Sequence, residues 1–149
     1  SRFAGTWKLD PTRSSDIRKA VDACVANYPP EAKEASRDRL LEVGANVSKF
    51  VITPMDKGSK VVIGYGGPDG KAVALDSSEV EIQTDEGGPV KMRVSTDSDN
   101  LVETYQAPDG RSVNTFSVSK DGKTLFMDVR VESPHMPNTL TYRLTYSRN

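Results

Sequence analysis

The sequence is poor in the side chains that most protein chemistry uses. Among its 149 residues there is one cysteine, Cys24, and one histidine, His135. A single cysteine excludes an internal disulfide, so cysteine usage does not fix the redox compartment. A single histidine excludes a His-rich metal site and any machinery that needs two imidazoles. A Cys24–His135 dyad is the one thiol-nucleophile arrangement left, and Cys24 falls on a helix face that reads as core. Neither sign of charge is in excess: 20 basic residues face 21 acidic ones, for a net charge of −1. That leaves no basic patch for nucleic acid and no acidic tail. No apolar run approaches the roughly 20 residues that a membrane-spanning helix needs. The acidic residues are scattered over turns and outward faces, so no carboxylate pair stands out for acid–base work. No signal peptide is visible. The chain opens at Ser1 without a methionine; a secreted or periplasmic location is slightly favoured over a cytoplasmic one, and the compartment stays open.

What is present is patterned. Ile17, Ala20, Val21, Cys24, Val25 and Tyr28 recur at helical spacing and form one apolar stripe. Ser14 or Ser15 suits the N-cap, Asp16 suits the positive end, and Pro29 and Pro30 stop the helix. A second, more charged helix is expected over 31–43, with Gly44 as its stop signal and Ala32, Leu40, Leu41 and Val43 on one side. The helical hairpin therefore spans 14–44.

From residue 46 onward the period changes to two, broken by Gly, Pro and Asp. Strands are expected at 4–9, 47–54, 59–66, 71–76, 79–84, 89–96, 100–107, 111–119, 123–132 and 138–147. The turns "DKGS", "PDGK", "PDGR" and "KDGK" supply glycine where φ is positive. Consecutive hairpins predict an antiparallel meander, and closure into a barrel removes the exposed edges. The fold class expected is mainly β: one up-and-down barrel of about ten strands with a helix-turn-helix lid after the first strand. It occupies 1–149 as a single domain.

Other motifs fail on inspection. "GYGGPDGK" at 64–71 lacks the first glycine and the final Ser/Thr of a phosphate loop. "DSDNLVE" at 97–103 lacks the glycine and register of a calcium loop. "NVS" at 46–48 is a glycosylation triplet of a kind that arises often by chance. His135 sits in a loop, where a solvated side chain is the simplest reading and an axial haem ligand the alternative. No cofactor is implied.

The opening "FAGTWKLD" carries Phe3-x-Gly5-x-Trp7, with "GTWKL" following. This resembles the N-terminal motif of the calycins, the lipocalins and fatty-acid-binding proteins. The order of one strand, a helix pair and nine further strands is similar to the fatty-acid-binding proteins and covers the whole chain. Small secreted bacterial lipocalin-like proteins share the opening. The resemblance implies that Trp7 plugs the closed end of the barrel beneath a basic side chain from the last strand. Arg143 and Arg148 are the candidates, and Gly5, Trp7 and Arg143 form the structural motif it implies. It also implies a lid over the open end and a ligand cavity within.

Alternation suggests which side chains face that cavity. Leu125, Met127, Val129 and Val131 share one face, as do Leu140, Tyr142, Leu144 and Tyr146. The ligand-binding candidates are Tyr105, Phe116, Met127, Tyr142, Leu144 and Tyr146. The alternative is that they simply pack the interior. The family's Arg-x-Tyr carboxylate anchor is broken here: Leu144 stands two residues before Tyr146, and Arg143, Arg93 and Arg130 read as outward. Three functions follow. One is non-catalytic binding or transport of a small hydrophobic molecule, lipid-like or fatty-acid-like, with tyrosine hydroxyls as polar contacts. The second is an interaction or inhibitor module on a filled barrel. The third is an enzyme built on Tyr142, Tyr146 and an arginine; the reading favours no enzyme.

Overall fold

Period-two alternation gives each strand one apolar face, and the sheet curls to bury it. The computed structural model describes residues 1–43, 48–84 and 88–148. Its strands are β1 (Gly5–Leu9), β2 (Lys49–Met55), β3 (Lys60–Tyr65), β4 (Ala72–Ala74), β5 (Val80–Thr84), β6 (Gly88–Asp97), β7 (Asn100–Ala107), β8 (Gly110–Val118), β9 (Thr124–Glu132) and β10 (Leu140–Arg148). They form one ten-stranded sheet in the order β4-β3-β2-β1-β10-β9-β8-β7-β6-β5. Neighbours pair antiparallel, and the first strand pairs with the last: Trp7 opposes Arg148 and Leu9 opposes Tyr146. The remaining seam is drawn together where Asp76 bridges Ser95 and the Ser77 N–H donates to the Val94 carbonyl at 3.1 Å. The result is a nearly closed up-and-down barrel with two helices after its first strand, the expected architecture.

The helices are α1 (Ile17–Val25) and α2 (Pro30–Val43). The N-cap of α1 is Asp16, whose carboxylate accepts from the Lys19 N–H. Ser14 and Ser15 do not cap. They bond to the last strand instead: the Thr145 N–H donates to Ser14 Oγ at 2.9 Å and the Arg143 N–H to Ser15 Oγ at 3.2 Å. The apolar stripe of α1 is buried at Val21, Cys24 and Val25. Asn138, before β10, donates to the Cys24 carbonyl at 2.9 Å and fixes the helix to the barrel. Arg37 of α2 pairs with Asp22 of α1 at 2.6 Å. Among the described side chains of α2, Leu40 is the buried one. Gly44 and Asn46 lie outside the described residues, as does the side chain of Val43.

Trp7 closes one end. It is fully buried, and its Nε1–H donates to the Phe3 carbonyl at 2.9 Å. The cation stacked on it is Arg148, 4.3 Å from the ring centroid, and not Arg143. Arg143 faces the opposite way: it lies over Phe126 at 4.9 Å and pairs with Asp128 at 2.7 Å. The reason is register. Arg148 is the cross-strand partner of Trp7, whereas Arg143 opposes Asp128 on β9. Arg148 also donates to the Arg2 carbonyl at 2.9 Å and to the Ala4 carbonyl. Gly5 makes this crossing possible. Its φ is +131°, and a Cβ there would sit 2.7 Å from Arg148 Nη1.

Candidate functional site

The inward faces of β9 and β10 are buried as alternation predicts: Leu125, Met127, Val129 and Val131 on one, Leu140, Tyr142, Leu144 and Tyr146 on the other. They do not fill the barrel. A cavity of about 750 Å³ remains between the strands and α2. Its apolar wall includes Leu40, Met127, Val129, Val131 and Tyr142. At its mouth stand Arg39 of α2, Asp109 and Arg111 of the β7–β8 hairpin, and His135 and Met136 of the β9–β10 loop.

Of the six residues expected to line a cavity, Tyr105, Met127 and Tyr142 do so. Phe116, Leu144 and Tyr146 do not. All three are fully buried, Phe116 and Tyr146 in a packed aromatic layer. Phe50 is the centre of that layer, 4.6 Å from the Tyr146 ring, 5.6 Å from Phe116 and 5.9 Å from Tyr65. Alternation gives the face of a strand but not how far along the barrel axis packing extends. Phe50, on β2, is what fills that depth.

A second set of residues was missed by the sequence reading. Glu103 is completely buried, although no lysine or arginine is buried among the described residues. Tyr65 Oη donates to its Oε1 at 2.6 Å, Asn114 Nδ2 donates to the same oxygen at 3.0 Å, and Tyr105 Oη donates to Oε2 at 2.8 Å. Asn114 Nδ2 also donates to Tyr65 Oη at 3.3 Å. Topology assembles the cluster. Glu103 and Tyr105 are two apart on β7 and so share a face, Asn114 is the register partner of Glu103 on β8, and Tyr65 reaches across from the end of β3. Tyr65, Tyr105 and Asn114 line the cavity, and Glu103 stands behind them. The available signal was one of parity: Glu103 shares a strand face with Leu101 and Tyr105, an acidic residue at an inward position.

Burial pushes the Glu103 carboxyl upward, and the three hydrogen bonds hold it partly down. Burial also raises Tyr65 well above the ordinary tyrosine range, with the negative Glu103 adding to it, and raises Tyr105 for the same two reasons. Tyr142 and Tyr146 are raised by burial. The mouth carries paired charges. Arg39 pairs with Asp109, tying α2 to the β7–β8 hairpin, and Arg111 approaches Glu132 at 3.5 Å. Arg93 and Arg130 point outward, toward Glu79 at 2.6 Å and Glu132 at 3.5 Å. Cys24 is buried on the inner face of α1 while His135 is exposed. No cluster of three or more metal-binding side chains occurs among the described residues. No described helix is long and apolar enough to cross a membrane.

No protein-family model matches the sequence, and no curated protein does. Solved structures match its fold over nearly the whole chain. A heat-soluble (SAHS) protein from Ramazzottius varieornatus superposes with TM-score 0.66 at 16% identity, covering 100% of this chain and 96% of that one. The fatty-acid-binding protein 1 of Echinococcus granulosus gives 0.58 at 14% identity, covering 99% and 97%. The zebrafish ileal bile acid-binding protein, crystallised with cholic acid, gives 0.55 at 17% identity, covering 100% of both. The barrel thus shares the ten-stranded barrel fold of these structures. At these identities the likeness concerns fold alone.

Proposed function

We propose that this protein is a non-catalytic carrier or sensor that holds a small, mainly apolar molecule inside its barrel. The observation that supports this best is the cavity. About 750 Å³ lies open between α2 and the strands, within the size range of sites for small ligands. A barrel serving only as a scaffold gains stability by filling such space with side chains. It would also carry an exposed apolar patch for its partner. Among the described residues, Met55 is the one large apolar side chain that is exposed. The similar structures include proteins named for binding fatty acids and bile acids, which supports a hydrophobic ligand of some kind.

Native mass spectrometry before and after organic extraction tests the reading, followed by titration with a fluorescent apolar probe. The expected result is a stoichiometric apolar adduct, or probe binding that Val129→Trp abolishes by filling the cavity where Val129 opposes Tyr142. A clean mass together with no binding across a panel of fluorescent lipids would sink it.

A further inference from the structure

We infer that the buried cluster around Glu103 selects the head group of the bound molecule, admitting an apolar molecule with a protonated amine and rejecting one with a carboxylate. This rests on the carrier reading above.

The argument follows the hydrogens. Tyr65 and Tyr105 each have one hydroxyl proton, and both protons point at Glu103. Asn114 Nδ2 is engaged by Glu103 and by Tyr65 Oη. What these three cavity-lining side chains still offer is lone pairs, on the two hydroxyl oxygens and on the Asn114 amide oxygen. A head group meeting this wall must therefore donate. A carboxylate has no proton to give and would meet only acceptors on these three side chains, with the hydroxyls of Ser112 and Tyr142 as the nearby donors of the lining.

Charge points the same way. Glu103 is the one ionisable carboxyl of the cluster, and it is screened from water by complete burial. The cations of the cavity wall, Arg39 and Arg111, stand at the mouth beside Asp109 and Glu132. A protonated amine entering the cavity supplies the positive charge that the buried carboxylate lacks. It favours the ionised form of Glu103, which in turn keeps both tyrosine protons turned away from the ligand. A carboxylate head would add a second negative charge to the same buried region. An alcohol donates without charge and falls between them. Glu103 is a positioning residue here, because it acts through the tyrosines that line the cavity.

The test uses the full chain and three probes with one alkyl chain: dodecylamine, dodecanol and dodecanoate, titrated by calorimetry at neutral pH below their micelle concentrations. Dodecylamine is expected to bind at least about tenfold more tightly than dodecanoate, with dodecanol between, as charge-assisted contacts in a site of low polarity give. Glu103→Gln is expected to reduce that ratio to about threefold or less while dodecanol stays within about twofold, a split that a merely structural role would not produce. If Glu103→Gln does not fold, the ratio in the unsubstituted protein still decides. Tyr105→Phe adds a second check: losing one acceptor hydroxyl should weaken the amine and the alcohol but not dodecanoate. Dodecanoate binding as tightly as the amine, or a ratio unmoved by Glu103→Gln, overturns the selection and leaves the carrier standing. No binding by any of the three overturns both.

Discussion

Replacing Trp7 by alanine tests how the barrel is closed. The indole is fully buried, its Nε1–H is bonded to the Phe3 carbonyl at 2.9 Å, and the Arg148 guanidinium lies 4.3 Å above it. Truncating a buried aromatic of this size costs about 3–5 kcal/mol, because the cavity left behind cannot fully collapse. The lost hydrogen bond contributes about 1 kcal/mol. The lost stacking contributes about 0.5–1 kcal/mol, and both fall largely within the first figure rather than adding to it. Urea unfolding followed by far-ultraviolet circular dichroism is the assay, since Trp7 is the only tryptophan and its fluorescence disappears with it. A double-mutant cycle then isolates the stacking. Trp7→Leu and Arg148→Met should couple by about 0.5–1 kcal/mol. Trp7→Leu and Arg143→Met should not couple, because Arg143 lies over Phe126 on the outer face. A loss below about 1 kcal/mol for Trp7→Ala would refute the plug, since no fully buried indole is removed so cheaply. Coupling to Arg143 instead of Arg148 would refute the register.

Other measurements address the polar cluster and the mouth. Burial raises Glu103 above its ordinary 4.5, so the stability it contributes is fully present below pH 4.5 and is lost as pH rises through the raised value. Glu103→Gln should flatten that decline, and urea midpoints taken at pH 4.5 and 7.5 with equal slopes against pH in both proteins would count against a buried carboxyl. All five tyrosines are raised from 10.0, chiefly by burial. Their contribution is present below pH 10 and lost as pH rises through the raised values, so the ultraviolet titration should be displaced above pH 10 and rise most steeply with unfolding; a gradual transition centred at 10 with the far-ultraviolet signal intact would contradict it. Arg39→Ala cuts the pair that holds α2 to Asp109, and stopped-flow release of a bound fluorescent apolar probe should quicken severalfold with little change in urea midpoint, as befits an exposed ion pair. Unchanged release would mean that α2 does not gate the mouth.

Much of the fold was legible because local rules and global closure agree. The turns "PDGR" and "KDGK" demand hairpins, and the alternation of β9 and β10 allows one inward face. The short β4 was not legible in length, since the expected strand at 71–76 pairs only over Ala72–Ala74. Ser14 and Ser15 were misread because a serine before a helix looks like a cap whether or not a strand edge competes for its hydroxyl. The Trp7 partner was decidable from parity alone. Arg143 and Arg148 are five apart, so they lie on opposite faces, and the rule that turns Arg143 away from the interior also turns it away from Trp7.

Glu103 shows where such reasoning stops and what completes it. Strand parity places its side chain inward, but an inward acidic residue in a strand with an open edge needs no partner at all. Its meaning depends on three donors from β3, β7 and β8, which only closure of the barrel brings to one point. Tyr65 lies 38 positions away in sequence, and nothing local to "VIGYGG" announces that its hydroxyl is needed there. Once the three donors are in place, the carboxyl is not an isolated buried charge but the acceptor that orients them. The last strand also lacks the Arg-x-Tyr pair that the resemblance implies, since Leu144 stands two before Tyr146 and Arg143 faces outward. Glu103 puts a carboxyl, not a guanidinium, at the polar side of this cavity, and the proposed head-group selection turns on that difference. On that proposal the cluster around Glu103, rather than the fold, decides which head group the cavity accepts.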